Sequence, residues 1–134
     1  MTKLHAIEGI GPAYAAKLEA AGVKSVEALL ETGKMPKGRQ ALAEKSGIDA
    51  KRILEWVNRA DLARIKGVGT QYADLLEAAG VDTVVELSRR RPDNLTVKMG
   101  EVNAEKNLVR RLPPLKSVTN WVEQAKALPR MVEY

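Results

Sequence analysis

The sequence predicts an all-α fold built from two tandem copies of one helical repeat, and three observations carry that expectation. Shifting the chain by 58 positions lays residues 4–29 over residues 62–87 with 14 identities in 26 positions, the mark of an internal duplication. Each copy places a Gly-x-Gly turn, Gly9-Ile10-Gly11 or Gly67-Val68-Gly69, ahead of an apolar stripe with the spacing of a helix that buries one face. Composition agrees: Phe is absent, aromatic residues make up 4%, and the 45% of hydrophobic residues are mostly Ala, Leu and Val without the alternation of strands.

Taken in order, the first copy opens on a short apolar helix that ends at Gly9. That glycine is free to take φ > 0, Ile10 plugs the turn, and Gly11 lets the next helix start without a clash. Pro12 follows where a first helical turn has no use for its N–H. Ala15, Leu18 and Ala21, with Tyr14 beside them, form the buried stripe, and Gly22 closes the helix. Ser25 caps a short helix from Val26 to about Glu31, and in the second copy Thr83 with Glu86 makes a fuller capping box.

Gly33, Pro36 and Gly38 then mark a polar link. Gln40 to Ser46 is expected as a helix stopped by Gly47, and Asp49 caps a further helix whose inner face is Ile53, Trp56, Val57 and Ala60. Gly47-Ile48 resembles a worn hairpin, with Asp49 where a second glycine belongs. The second copy repeats the inner face as Val118, Trp121, Val122 and Ala125, now offset by 65, so it has gained seven residues between Leu87 and Val118. That stretch holds Arg89-Arg90-Arg91-Pro92, a helix with Leu95, Met99 and Val102 on one face, the pair Arg110-Arg111, and Pro113-Pro114, which stops a helix. The worn hairpin of this copy is expected at Leu112-Pro113-Pro114, and Pro129 to Tyr134 as a short tail. The two repeats are bounded as 1–60 and 61–134.

Composition also bounds function. The chain has no cysteine and one histidine, His5, which removes disulfides, thiolate chemistry and most zinc sites. Its acids are scattered among Lys and Arg, as on solvated helix faces, so no catalytic constellation emerges. The expectation is a non-enzyme with no metal, no cofactor and no small-molecule substrate. No apolar run approaches a membrane span, and a cytoplasmic location is expected. The net charge of +5 is a mild excess of 22 basic over 17 acidic residues; it suits an anionic partner and decides nothing by itself.

The turns point to the anion. A helix N-terminus presents free N–H groups backed by the positive end of the helix dipole, and phosphate is its usual partner. Lys66 and Arg64 flank the second turn, and Thr70 is able to donate from both amide and hydroxyl. The candidate phosphate-contacting residues, which the resemblance given below makes candidates for DNA binding, are Arg64, Lys66, Gly67, Val68, Gly69 and Thr70 first, then Gly9, Ile10 and Gly11, with Arg89, Arg90 and Arg91 as a phosphate clamp beside the second turn. Two plainer readings stand next to these: glycines that only let helices meet closely, and arginines that only suit a helix C-terminus. Trp56, Trp121, Tyr14 and Tyr72 fall within apolar stripes and are expected to pack in the cores rather than stack on bases.

The segment from Ile7 through Pro12 to Ala15 and Leu18, and its copy from Ile65 to Leu76, resembles the GxGxxxA motif of the helix-hairpin-helix superfamily of DNA repair, recombination and replication proteins. The order of elements is also similar to the N-terminal domain of eukaryotic and archaeal recombinases and the C-terminal domain of the bacterial RNA polymerase alpha subunit. The tandem layout with Trp56-Val57 and Trp121-Val122 most resembles the bacterial domain of unknown function 4332, over roughly residues 4–128. The resemblance implies two tandem helix-hairpin-helix (SAM-like) repeats packed together, and a DNA partner contacted at its phosphates by hairpin amides without base readout. Here the chain departs from the motif: Pro12 has no N–H, Glu8 sets a carboxylate in the first turn, and Ala13 and Gln71 stand where DNA-binding hairpins carry Lys or Arg. The rival reading is a protein-interaction scaffold in which both hairpins only pack.

Overall fold

A computed structural model describes residues 2–134, apart from the side chain of Thr70. Among the described residues the fold is all-α, with eight α-helices and no strand. Two compact units divide it. One comprises Met1–Asp61 together with Met131–Tyr134, the other Leu62–Arg130.

In the first unit a 3-10 turn at Leu4–Ala6 leads to α1 (Pro12–Ala20), α2 (Val26–Gly33), α3 (Pro36–Ser46) and α4 (Ala50–Leu62). The apolar stripes converge on one core in which Leu18, Leu29, Ile53 and Val57 are completely buried, with Trp56 and Ala60 beside them. Proline opens α1 and α3 at the position where a missing N–H costs nothing. The Ser25 hydroxyl accepts from the Ala28 amide at 3.0 Å and caps α2. α1 ends in a pair of capping bonds, Val23 N–H to Leu18 O at 2.9 Å and Gly22 N–H to Glu19 O at 3.0 Å, which occupy carbonyls the helix leaves open.

The second unit repeats this order with α5 (Gly69–Ala78), α6 (Val84–Ser88), α7 (Pro92–Lys106) and α8 (Leu115–Ala127). Its core is lined by Leu75, Leu76, Leu87, Met99, Val118 and Val122, all fully buried, with Trp121 and Ala125 completing the inner face of α8. α5 closes with the same two bonds, Val81 N–H to Leu76 O and Gly80 N–H to Glu77 O.

Four details differ from the expectations. Gly33, Pro36 and Gly38 do not form a link: Gly33 ends α2, and Pro36 and Gly38 lie in α3. A Cβ on Gly33 would collide with Val57, and one on Gly38 with the Thr32 carbonyl, so these glycines let helices approach closely. The capping box is half made. Thr83 accepts from the Glu86 amide at 3.2 Å, but the Glu86 carboxylate pairs with Arg90 at 3.1 Å. The turn after α7 forms at Asn107, which is left-handed (φ 52), rather than at Leu112-Pro113-Pro114; Asn103 grips the Val109 peptide from both sides, at 2.9 and 3.1 Å, and buries that valine. Finally, Met131–Tyr134 returns to the first unit instead of ending loose. Val132 is buried, the Glu133 amide donates to Lys34 O at 2.7 Å, and the Tyr134 hydroxyl meets Asn58 at 3.0 Å. The Arg39 guanidinium, whose pKa burial lowers, donates to Gly33 O and Glu133 O at 2.8 Å each.

Candidate nucleic-acid interface

Each glycine turn sits on a tryptophan. Gly9 has φ +95 and Gly67 φ +96, a region open to glycine and strained for other residues. A Cβ on Gly9 would lie 3.3 Å from the Trp56 indole nitrogen, and on Gly67 3.1 Å from that of Trp121. The indoles come from α4 and α8, whose inner faces put them there. Tyr14 and Tyr72 pack on the same indoles, with ring centroids 5.1 and 5.3 Å apart. The tryptophans are thus buried in the cores, as expected, with the tyrosines partly buried against them, and each pair forms the platform under its turn.

The second turn is tied to α8 through a side chain. The Gln124 side chain of α8 accepts from the Lys66 amide at 2.9 Å and donates to the Lys66 carbonyl at 3.1 Å. Gln124 is itself oriented by Asn120 at 2.7 Å. With its peptide fixed, Lys66 is exposed and its ammonium has no partner among the described residues. Val68 is the buried plug, and the amides of Gly67 and Gly69 have no partner among the described residues. The Thr70 hydroxyl lies outside the described side chains. In the first turn Ile10 is the plug, and the first helical bond is Ala15 N–H to Gly11 O at 2.9 Å. That leaves the amides of Gly11, Ala13 and Tyr14 outside the ladder, while Pro12 has none to offer.

Residues 8–128 match the family described as domain of unknown function DUF4332. The chain belongs to that family. Neither a curated protein nor a solved structure matches it. The DUF4332 segment spans both glycine turns and both tryptophans, and it stops short of the docked residues Met131–Tyr134.

Not every candidate residue of this DUF4332 chain gathers at the second turn. Arg64 is half-buried, and its guanidinium donates to Pro129 O at 2.8 Å, so it braces the chain leaving α8. Arg90 donates to Gly80 O at 3.0 Å and pairs with Glu86, at the C-terminal end of α5. The second turn is at the N-terminal end of that ten-residue helix, about 15 Å away at the α-helical rise. Arg89, Arg90 and Arg91 therefore do not flank the turn. Another basic pair is tied to the N-terminal end of the helix: the Tyr72 hydroxyl, one turn into α5, donates to the Arg111 carbonyl at 3.1 Å, which anchors the backbone of exposed Arg110-Arg111 there. Arg110-Arg111 is visible in the sequence as a basic pair before two prolines, but only this tertiary contact links it to Gly67. Among the described residues no three of His, Cys, Asp and Glu lie together as a metal site would need, and no helix is long and apolar enough to cross a membrane.

Proposed function

We propose that this protein is a non-catalytic, cytoplasmic nucleic-acid-binding protein of two tandem helix-hairpin-helix repeats, which contacts DNA phosphates with little regard to sequence. The observation that carries the reading is the second turn: amides of Gly67 and Gly69 without a partner among the described residues, at the positive end of α5, beside an exposed ammonium on Lys66 whose peptide Gln124 holds in place. Lys66, Gly67, Val68, Gly69 and Thr70 make the main contact. Arg110 and Arg111 extend it, Gly9, Ile10 and Gly11 make a weaker one, and Arg89 to Arg91 supply longer-range attraction. Phosphate contacts of this kind fix position and carry no sequence information.

The second reading, a protein-interaction scaffold, is favoured by one observation. Leu108 and Leu112 on the connection between α7 and α8, and Leu115 at the start of α8, are 37%, 43% and 49% exposed. Fluorescence anisotropy separates the two, using labelled duplex, single-stranded and branched DNA from low to physiological salt, with the intact protein and with Lys66→Glu. DNA binding should weaken steeply with salt, and the charge reversal should cost about tenfold or more. Absence of binding at low salt would remove the DNA reading and leave the scaffold.

A further inference from the structure

The arginines that the fold takes away from the second turn build a feature of their own. Arg89, Arg90, Arg91, Asn94, Leu95 and Lys98 line a hollow of about 310 Å³, at the lower end of the size range of small-ligand sites. The turn from α6 into α7 supplies the three arginines. Asn94 and Lys98 are one helical turn apart on α7 and so share a face, with buried Leu95 as the apolar floor.

The charges in the hollow are not all compensated. Arg90 is fixed by Glu86 and the Gly80 carbonyl, and Arg91 pairs with Asp93 at 3.2 Å. Arg89 and Lys98 are exposed and have no partner among the described residues. Two acids thus answer two of the four cations, and two positive charges remain, aimed at a space that also offers a side-chain amide and an apolar surface. A free guanidinium forks onto a tetrahedral oxyanion, and an ammonium adds a point charge.

We propose that this hollow is a binding site for a phosphomonoester dianion, either the terminal phosphate of a nucleic-acid strand or that of a small free phosphate ester. Arg89 and Lys98 grip the phosphate, Arg90 and Arg91 form a fixed basic wall, and Asn94 and Leu95 meet the organic group it carries. The site works independently of the second turn, about one α5 length away.

The test is made in the Lys66→Glu background, so that failure of the turn to bind DNA does not bear on it. Amide resonances are followed by two-dimensional NMR during titration with inorganic phosphate, with ribose 5-phosphate, and with one oligonucleotide carrying either a 5′-phosphate or a 5′-hydroxyl. Saturable shifts centred on residues 89–98 are expected, and Arg89→Ala with Lys98→Ala should weaken binding by about tenfold or more. Both side chains are exposed, so the melting temperature should hold; Lys37→Ala with Lys126→Ala, which removes two exposed cations away from the hollow, is the control for the two charges lost. A preference for the 5′-phosphorylated strand over its hydroxyl twin assigns the strand end, and binding of ribose 5-phosphate with no such preference assigns a free ester. No saturable shift in this segment, or shifts that survive the double variant, would overturn the proposal.

Discussion

At the two glycine turns the chain does the same thing at Gly9 and Gly67 and different things two residues later. Gly11 is extended, with φ −85 and ψ −177, and caps α1 from outside. Gly69 is left-handed, with φ +58, and is already the first residue of α5. The cause is the following residue. The ring of Pro12 bars its predecessor from the helical region, so Gly11 stays extended and the helix begins at the proline. Thr70 imposes no such restriction. Identical glycines in matching sequence contexts therefore answer different demands, and the side chain at residue 66 or 8 then decides which turn carries a cation and which a carboxylate.

The largest break in this comparison would come from the shared platform. Trp56→Ala and Trp121→Ala each remove a buried indole from beneath a glycine turn, and each should cost about 3–5 kcal/mol. Urea unfolding followed by circular dichroism would measure it. A loss below about 1 kcal/mol in either variant would mean that its indole does not support that turn.

Next comes the clamp. Gln124→Ala removes both bonds to the Lys66 peptide and should cost about 1–2 kcal/mol, the net worth of two hydrogen bonds at a half-exposed site. It should also weaken DNA binding although no charge is lost, because the Lys66 peptide is no longer held. Unchanged anisotropy in a destabilised Gln124→Ala would separate the clamp from the interface.

Much of this was legible in the sequence, and the limits have physical reasons. The helices follow from periodicity, and the tryptophans' burial from their place in a repeated stripe. What periodicity does not carry is contact between distant segments. Nothing local marks Gln124 as the partner of Lys66, 58 residues away, or Arg111 as the partner of Tyr72. Gly33, Pro36 and Gly38 looked like a link because glycine and proline usually punctuate, whereas here close helix approach selects the glycines and a first helical turn accepts the proline. Of the two readings of the arginine triplet, a phosphate clamp beside the second turn and a basic helix end, the structure removes the first. The triplet's place at the far end of α5 is fixed by the Gly80 carbonyl, which Arg90 holds.

The glycines themselves sharpen the comparison at a smaller scale. Gly69→Ala forces a side chain into the left-handed region and should cost about 1–2 kcal/mol. Gly11→Ala should be close to neutral or slightly stabilising: its backbone suits alanine, a Cβ there would meet nothing within 4 Å, and the unfolded chain loses freedom. Thermal melts of the two variants should shift in different directions or by clearly different amounts. Equal losses would mean that the two turns share one conformation.

The smallest effect tests whether the first turn is only one side chain short of the second. Glu8 occupies the position of Lys66, and its carboxylate stands by a turn whose Gly11, Ala13 and Tyr14 amides lie outside the helical ladder. Glu8→Lys removes a repulsion and adds an attraction, and is expected to raise DNA affinity by about two- to fivefold at low salt and to steepen the salt dependence by about one released counterion. The gain stays below the loss from Lys66→Glu because Pro12 withholds one amide that the second turn retains at Thr70. Anisotropy titrations at several salt concentrations would give both quantities. A gain in affinity with no change in salt slope would point away from phosphate contact at Gly9 to Gly11, and no gain at all would make the first turn a packing element whose tryptophan platform serves stability alone.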